Sequence, residues 1–145
     1  MSYLENKDLY YKLFKEYCNF EISSIDFERE FLQIFREDAD ALHEKSKDWE
    51  RRFDIELQVE RQEGKISQEE FCKRWSELWG ITDIMNELCG ILDRAFYACD
   101  CFDPNISEDE ANPPLDLSEN LFREEVLSLY HELMTFINKT RVNDV

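Results

Sequence analysis

Apolar residues recur at helical spacing along most of this chain. Leu9, Tyr10, Leu13, Phe14 and Tyr17 share one helix face and predict a first helix from about Ser2 to Tyr17. Asn19 to Ile22 then turns the chain. A second helix begins at Ser23, whose hydroxyl can cap the first turn. Asp26 can complete a capping box, and Ile22 and Phe27 can clamp the helix start as a hydrophobic staple. Phe31, Ile34 and Phe35 continue the apolar face.

The same device recurs 44 residues later, where Ile66-Ser67-Gln68-Glu69-Glu70-Phe71 stands in register with Ile22-Ser23-Ser24-Ile25-Asp26-Phe27. The register runs on through Arg29 with Lys73, Phe31 with Trp75, Ile34 with Leu78 and Phe35 with Trp79. Two explanations stand side by side: a duplicated helical unit, or two helices sharing a common start signal. Phe27 and Phe71 are both expected to be buried, as staple partners of Ile22 and Ile66.

Between the two starts, residues 38–63 contain no Gly or Pro. Ala39, Leu42, Trp49, Phe53, Leu57 and Val59 form a partial apolar stripe among alternating charges, which predicts one or two solvent-facing helices ending near Gly64. The next helix runs from Ser67 to Trp79 and stops at Gly80. The most apolar segment follows, a helix from about Thr82 to Cys101. Its broad face holds Ile81, Ile84, Met85, Leu88, Ile91, Leu92, Ala95, Phe96, Cys99 and Phe102, with Asp83, Glu87, Asp93, Tyr97 and Asp100 opposite. Asp103-Pro104 ends it. Residues 103–117 read as an acidic loop containing Pro113-Pro114. A last helix from about Ser118 to Ile137 buries Leu121, Val126, Leu129, Leu133 and Phe136. The expected fold is all-α, a single-domain bundle of five to seven helices over residues 1–138, with a polar, frayed tail over 139–145.

Composition agrees with a folded core: 43% of the 145 residues are hydrophobic and 14% aromatic, with only three Gly and three Pro. Charge adds a second theme. The net charge is −17, and residues 83–116 hold Asp83, Glu87, Asp93, Asp100, Asp103, Glu108, Asp109, Glu110 and Asp116 against the single base Arg94. Such a field repels nucleic acid and anionic membrane and attracts a basic partner. The opening residues have no apolar run, and no stretch approaches the roughly 18 apolar residues of a membrane span, so neither signal peptide nor span is expected. Five cysteines, odd in number and without CxxC spacing, read as reduced thiols of a cytoplasmic protein.

Catalytic signatures are sparse. His43 and His131 are far apart, and neither has a second ligand at metal spacing. The chain has no glycine-rich phosphate loop and no recognisable nucleophile motif. Asp103-Pro104-Asn105-Ile106-Ser107-Glu108-Asp109 lacks the central Gly of a calcium loop. No catalytic residue, metal or cofactor is expected.

Two stretches, residues 11–37 and 81–130, carry a resemblance. The first holds Tyr11-Lys12-Leu13-Phe14 followed by Ile22-Ser23-x-x-Asp26-Phe27-Glu28. The second holds Phe96-x-Ala98-x-Asp100-x-Phe102-x-Pro104, then an acidic stretch, then Leu121, Glu124 and Val126 at the opening of the last helix. In this order they resemble the colicin D immunity proteins and the related self-protective immunity proteins of bacterial contact-dependent inhibition. The resemblance implies a small, helical, cytosolic protein; separately, the chain is expected to be monomeric, or at most weakly dimeric, when free. It would cover the active site of a cognate nuclease toxin, typically a tRNA-cleaving one. It also assigns Asp100 and Asp103 to phosphate mimicry. Where family patterns place another acid after the Pro, this chain has Asn105, and Glu108 or Asp109 are the candidates for that role. The expected toxin-binding set is Asp93, Tyr97, Asp100, Asp103, Glu108, Asp109 and Glu110. The competing classes are a nucleic-acid-mimicking regulator of another enzyme and an adaptor bundle that binds another basic protein. A separate exosite would fall on Glu50, Asp54 and Glu60.

Overall fold

The computed structural model describes residues 3–49, 55–78, 83–113 and 115–143. It is all-α, with six helices and no strand among the described residues: α1 (Lys7–Cys18), α2 (Ser24–Trp49), α3 (Ile55–Gln62), α4 (Gln68–Leu78), α5 (Asp83–Cys101) and α6 (Glu119–Asn143). α1, α2, α5 and α6 form a four-helix bundle in which α1 packs on α2 and α6, and α5 packs on the same two. α3 and α4 pair with each other, and none of their described residues enters the main core.

Stacked aromatic rings run through the bundle. Phe27, Phe31 and Phe35 recur every four residues along α2, with centroids 5.9 and 5.6 Å apart. At one end of this row Phe35 stacks on Phe96 of α5 at 5.2 Å. At the other, Phe27 meets Tyr17 of α1 at 4.7 Å and Phe122 of α6 at 6.0 Å. Phe14 joins from α1, with Phe27 edge-on at 5.2 Å. Offset and edge-to-face ring pairs of this kind add stabilisation beyond their buried area.

Two buried polar networks fasten the helices around these rings. The Tyr17 hydroxyl lies 2.7 Å from Ser24 Oγ, which donates to Glu119 at 3.1 Å, so one chain of hydroxyls links α1, α2 and the start of α6. Further along, Asp38 is only 1% exposed. It accepts hydrogen bonds from Tyr10 Oη at 2.6 Å and from Asn6 Nδ2 at 2.7 Å. Both donors precede it by about 30 residues, and together they supply what a buried carboxylate requires.

The two predicted helix starts share one geometry. Ser23 Oγ accepts from the Asp26 amide at 3.1 Å, and Ser67 Oγ from the Glu70 amide at 3.1 Å. The preceding helix ends match as well. Glu21 and Lys65 donate back to Glu16 and Glu60 at 2.8 and 2.9 Å, and Phe20 and Gly64 donate to Tyr17 and Arg61, both at 3.1 Å. Phe20 and Gly64 occupy the left-handed region, at φ 62° and 72°. Each copy is therefore a Schellman end running into a capped start, and the repeat covers the whole corner. Phe20 takes a conformation that favours glycine, and its ring lies against the Arg123 guanidinium at 4.3 Å. The surroundings of the two corners differ. Phe27 is fully buried, whereas Phe71 is only half-buried beneath Arg61, 4.9 Å from its ring centroid.

Several expectations need correction. α1 begins at Lys7 because the Asn6 side chain reaches Asp38 and makes no cap bond, while Tyr3 folds back onto Phe35 at 5.5 Å. α2 continues through Asp38, so this residue belongs to the core and not to a solvent-facing segment. α6 runs to Asn143, past the expected end at Ile137, so the residues from 139 to 143 are helix and not a frayed tail. Thr140 is buried there, and Lys7 reaches its hydroxyl at 3.5 Å. The expected Gly80 stop, Phe53, Ile81, Pro114 and two exosite residues, Glu50 and Asp54, lie outside the described residues. Glu60 is engaged by Arg74 at 3.1 Å.

The buried tyrosines and thiols set the alkaline limit of the fold. Burial pushes Tyr3 up to about 12, pushes Cys99 up to about 12, and raises Tyr10 and Tyr17 above their ordinary value. Below pH about 7.5 neither folded nor unfolded chain ionises these groups appreciably, and their contribution does not vary with pH. Above it the unfolded chain releases protons first, so stability falls as pH rises toward the folded values. Urea midpoints should therefore be level near pH 7 and decline from about pH 7.5, first through the thiols and then through the tyrosines. Tyr10→Phe keeps the ring but removes a donor to a buried carboxylate. Urea unfolding should show a loss of about 2 kcal/mol with an unchanged m-value.

Candidate functional site

The C-terminal half of α5 and the loop after it share one end of the bundle. Leu117 returns beside Phe102 in an isolated parallel bridge. The Asp103 amide donates to Leu117 at 2.9 Å, and the Leu117 amide donates to Cys101 at 2.8 Å. Below this neck Phe102 packs on Phe122, with centroids 4.4 Å apart, so the loop is fastened to the aromatic core at its base. Inside the loop the turns are local. Asp103 Oδ1 accepts from the Asn105 amide at 2.9 Å, Ala111 donates to Ser107 at 3.0 Å, and Asp116 donates to Asn112 at 3.0 Å.

Two grooves flank the neck. The apolar one, about 460 Å³, lies between α5, the returning loop and α6. Tyr97 and Leu115 form its lips, 68% and 69% exposed, and Ala98, Cys101 and Leu117 lie between them. Arg94 and Glu125 also line it. The Arg94 guanidinium is held by a two-pronged pair to Glu132, 2.8 Å on each arm, and by the Gly90 carbonyl at 3.2 Å. The second groove, about 420 Å³, is polar. It is lined by Ile106, Ser107, Glu108 and Asp109 of the loop and by Ser118 to Asn120 at the start of α6.

The expected site residues divide among these surfaces. Tyr97 stands at the apolar groove, Glu108 and Asp109 at the polar one. Asp100 is exposed one turn beyond Tyr97, close on the helix surface. Asp103 is exposed, with one oxygen committed to its own turn. Glu110 is exposed on the loop. Asp93 lies two turns back, near Cys89 and Tyr3, where partial burial raises its carboxyl above the usual range. Leu115, Cys101, Leu117 and Glu125 had no place in the expected set. Only Leu115 carried a local signal, an apolar residue beside two prolines in an acidic loop.

From Ala95 to Phe122 the chain has no basic residue. Asp100, Asp103, Glu108, Asp109, Glu110, Asp116 and Glu119 make no ion pair among the described residues. The next cation, Arg123, is sandwiched between Tyr17 and Phe20, 4.1 and 4.3 Å from their centroids, and donates to the Tyr17 carbonyl at 2.8 Å. Elsewhere several acids are paired: Glu87 with Lys139, Glu132 with Arg94, and Glu60 and Glu70 with Arg74. The five cysteines are free thiols, and burial raises Cys18 to about 11 and Cys99 to about 12, opposite to the shift that activates a nucleophilic cysteine. No helix among the described residues is long and apolar enough to cross a membrane.

Comparisons with protein-family models, with curated proteins and with solved structures find no match for this chain.

Phe102 couples the loop to the core. Phe102→Ala should lower stability by about 3 kcal/mol, as for other buried rings. Limited proteolysis of this variant should cut first within residues 103–117, before any cut in α1 or α2.

Proposed function

We propose that this protein is an immunity protein that binds a nuclease toxin and neutralises it by laying this acidic end over the toxin's basic active site. The supporting observation is the run from Ala95 to Phe122, seven acids without a base and without an internal ion pair among the described residues. A nuclease that grips a phosphate backbone presents a cationic cleft, and unpaired carboxylates on a fixed surface can occupy it in place of phosphates. The helix places Asp100 at fixed orientation, and the bridge at Phe102 limits how far the loop acids can move. The resemblance to colicin D-type and contact-dependent-inhibition immunity proteins supports the same reading and suggests a tRNA-cleaving partner. In this reading the protein acts in the cytoplasm, is monomeric when free, performs no catalysis of its own, and binds neither nucleic acid nor membrane.

The test exploits a difference between two of the acids. The Asp100 side chain makes no hydrogen bond among the described residues, whereas Asp103 Oδ1 holds the Asn105 amide. Asp103→Asn keeps that acceptor and removes the charge, while Asp100→Lys reverses a charge on an exposed helix face. The pair Asp100→Lys with Asp103→Asn should keep wild-type helicity by circular dichroism. It should lose about 2–5 kcal/mol of affinity for the nuclease, or roughly 30- to several-thousand-fold, and fail to protect growing cells. Wild-type association should slow steeply with added salt, because the steering field decays over about 8 Å at physiological ionic strength. Full protection by the well-folded double variant would move the binding surface elsewhere.

A further inference from the structure

We infer that the apolar groove between Tyr97 and Leu115 is an anchor site for one large apolar side chain, borne on a basic segment of the partner protein. The inference rests on the reading of a basic protein partner and adds what that reading lacks, a contact that salt does not screen. Tyr97 and Leu115 are among the most exposed large hydrophobic residues of the fold, and they come from two different elements to face one cavity. The other strongly exposed ring, Phe20, is already covered on one face by Arg123. Water-facing apolar lips over an apolar floor are the form that protein anchors take, with tyrosine a favoured lip residue.

Charge selects the occupant. Arg94 at the edge of the groove is neutralised by both arms of Glu132, so its cation does not repel a basic segment. Glu125 lines the groove, where its charge is felt by Arg94 without a salt bridge among the described residues, and Asp100 stands one turn from Tyr97. An apolar side chain in the groove would therefore have a carboxylate available to its Lys or Arg neighbour on two sides. A second copy of this chain, at a net charge of −17, meets repulsion at the same place, as does an anionic lipid surface.

Two arms test this. In the first, the nuclease domain is titrated with the wild-type chain, with Asp100→Lys, and with Tyr97→Ser combined with Leu115→Ser, at physiological and at about 1 M salt, where the Debye length is about 3 Å. The charge variant should approach wild type at high salt. The groove variant should stay at least tenfold weaker at both salts. In the second arm, a short capped peptide with one tryptophan between two lysines is added to the isotope-labelled full chain and followed by amide chemical shifts. Shifts should centre on Tyr97, Ala98, Cys101, Leu115 and Leu117, and should vanish there when alanine replaces the tryptophan.

Wild-type affinity of the groove variant at both salts overturns the inference and leaves the acidic-face reading standing. If the wild-type chain binds no nuclease, the immunity reading fails, and the peptide arm alone decides the groove. Identical shifts from the tryptophan and alanine peptides overturn it there. Concentration-dependent shifts of the same residues without peptide would assign the groove to a second copy and overturn it as well.

Discussion

The stacked rings of Phe27, Phe31 and Phe35 are the constraint to which the other elements answer. They project from one face of α2, and each neighbouring helix of the bundle meets them with an aromatic of its own. Phe96 docks on one end of the row and Phe122 on the other. Phe102 then leans on Phe122 and sets the base of the acidic loop. The exposed face of α5 is thus held between two residues, Phe96 and Phe102, that point the other way. Tyr97 points outward because its neighbour Phe96 is committed inward.

How much of this could be read from the chain depends on whether the deciding contact was local. The helix starts at Ser23 and Ser67 were legible because capping acts within four residues, and both side-chain bonds are formed. The four-residue spacing of the α2 phenylalanines was legible for the same reason. Asp38 was not. A carboxylate among alternating charges reads as solvated, and only the distant Tyr10 and Asn6 make its burial tolerable. The persistence of α6 beyond Ile137 likewise depends on α1, through Lys7 and Thr140. Phe71 shows the converse. Its local signal equals that of Phe27, yet nothing comparable to α6 covers it among the described residues, and it stays half-buried. At the candidate site the acidic stretch was legible as composition, whereas the groove was not. It requires Leu115 to return beside Tyr97, and that return depends on the bridge between Phe102 and Leu117.

The arrangement of charge follows the same division between local and distant contacts. Around α3 and α4, Arg74 gathers Glu60 and Glu70, and on the flank of the bundle Lys139 and Arg94 engage Glu87 and Glu132. Most of these pairs are exposed, and each contributes little to stability. Their effect is on the field: they lower it locally on these flanks, and the end where α5 gives way to the loop has no such pair among the described residues. Of the cations near that end, Arg94 is held by Glu132, and Arg123 is turned into the fold by Tyr17 and Phe20.

The closed neck of the loop has a consequence for how this protein can change. Among the described residues of 104–116 the hydrogen bonds are all local, and the segment is tied to the core through the residues that bound it. Substitutions there alter the charge and shape of this end while the aromatic row, the Tyr10–Asp38 contact and the helix caps remain as they are. The residues that hold the fold and the acids of this loop are thereby different residues. A chain built in this way can change the charge carried at this end while its fold stays constant.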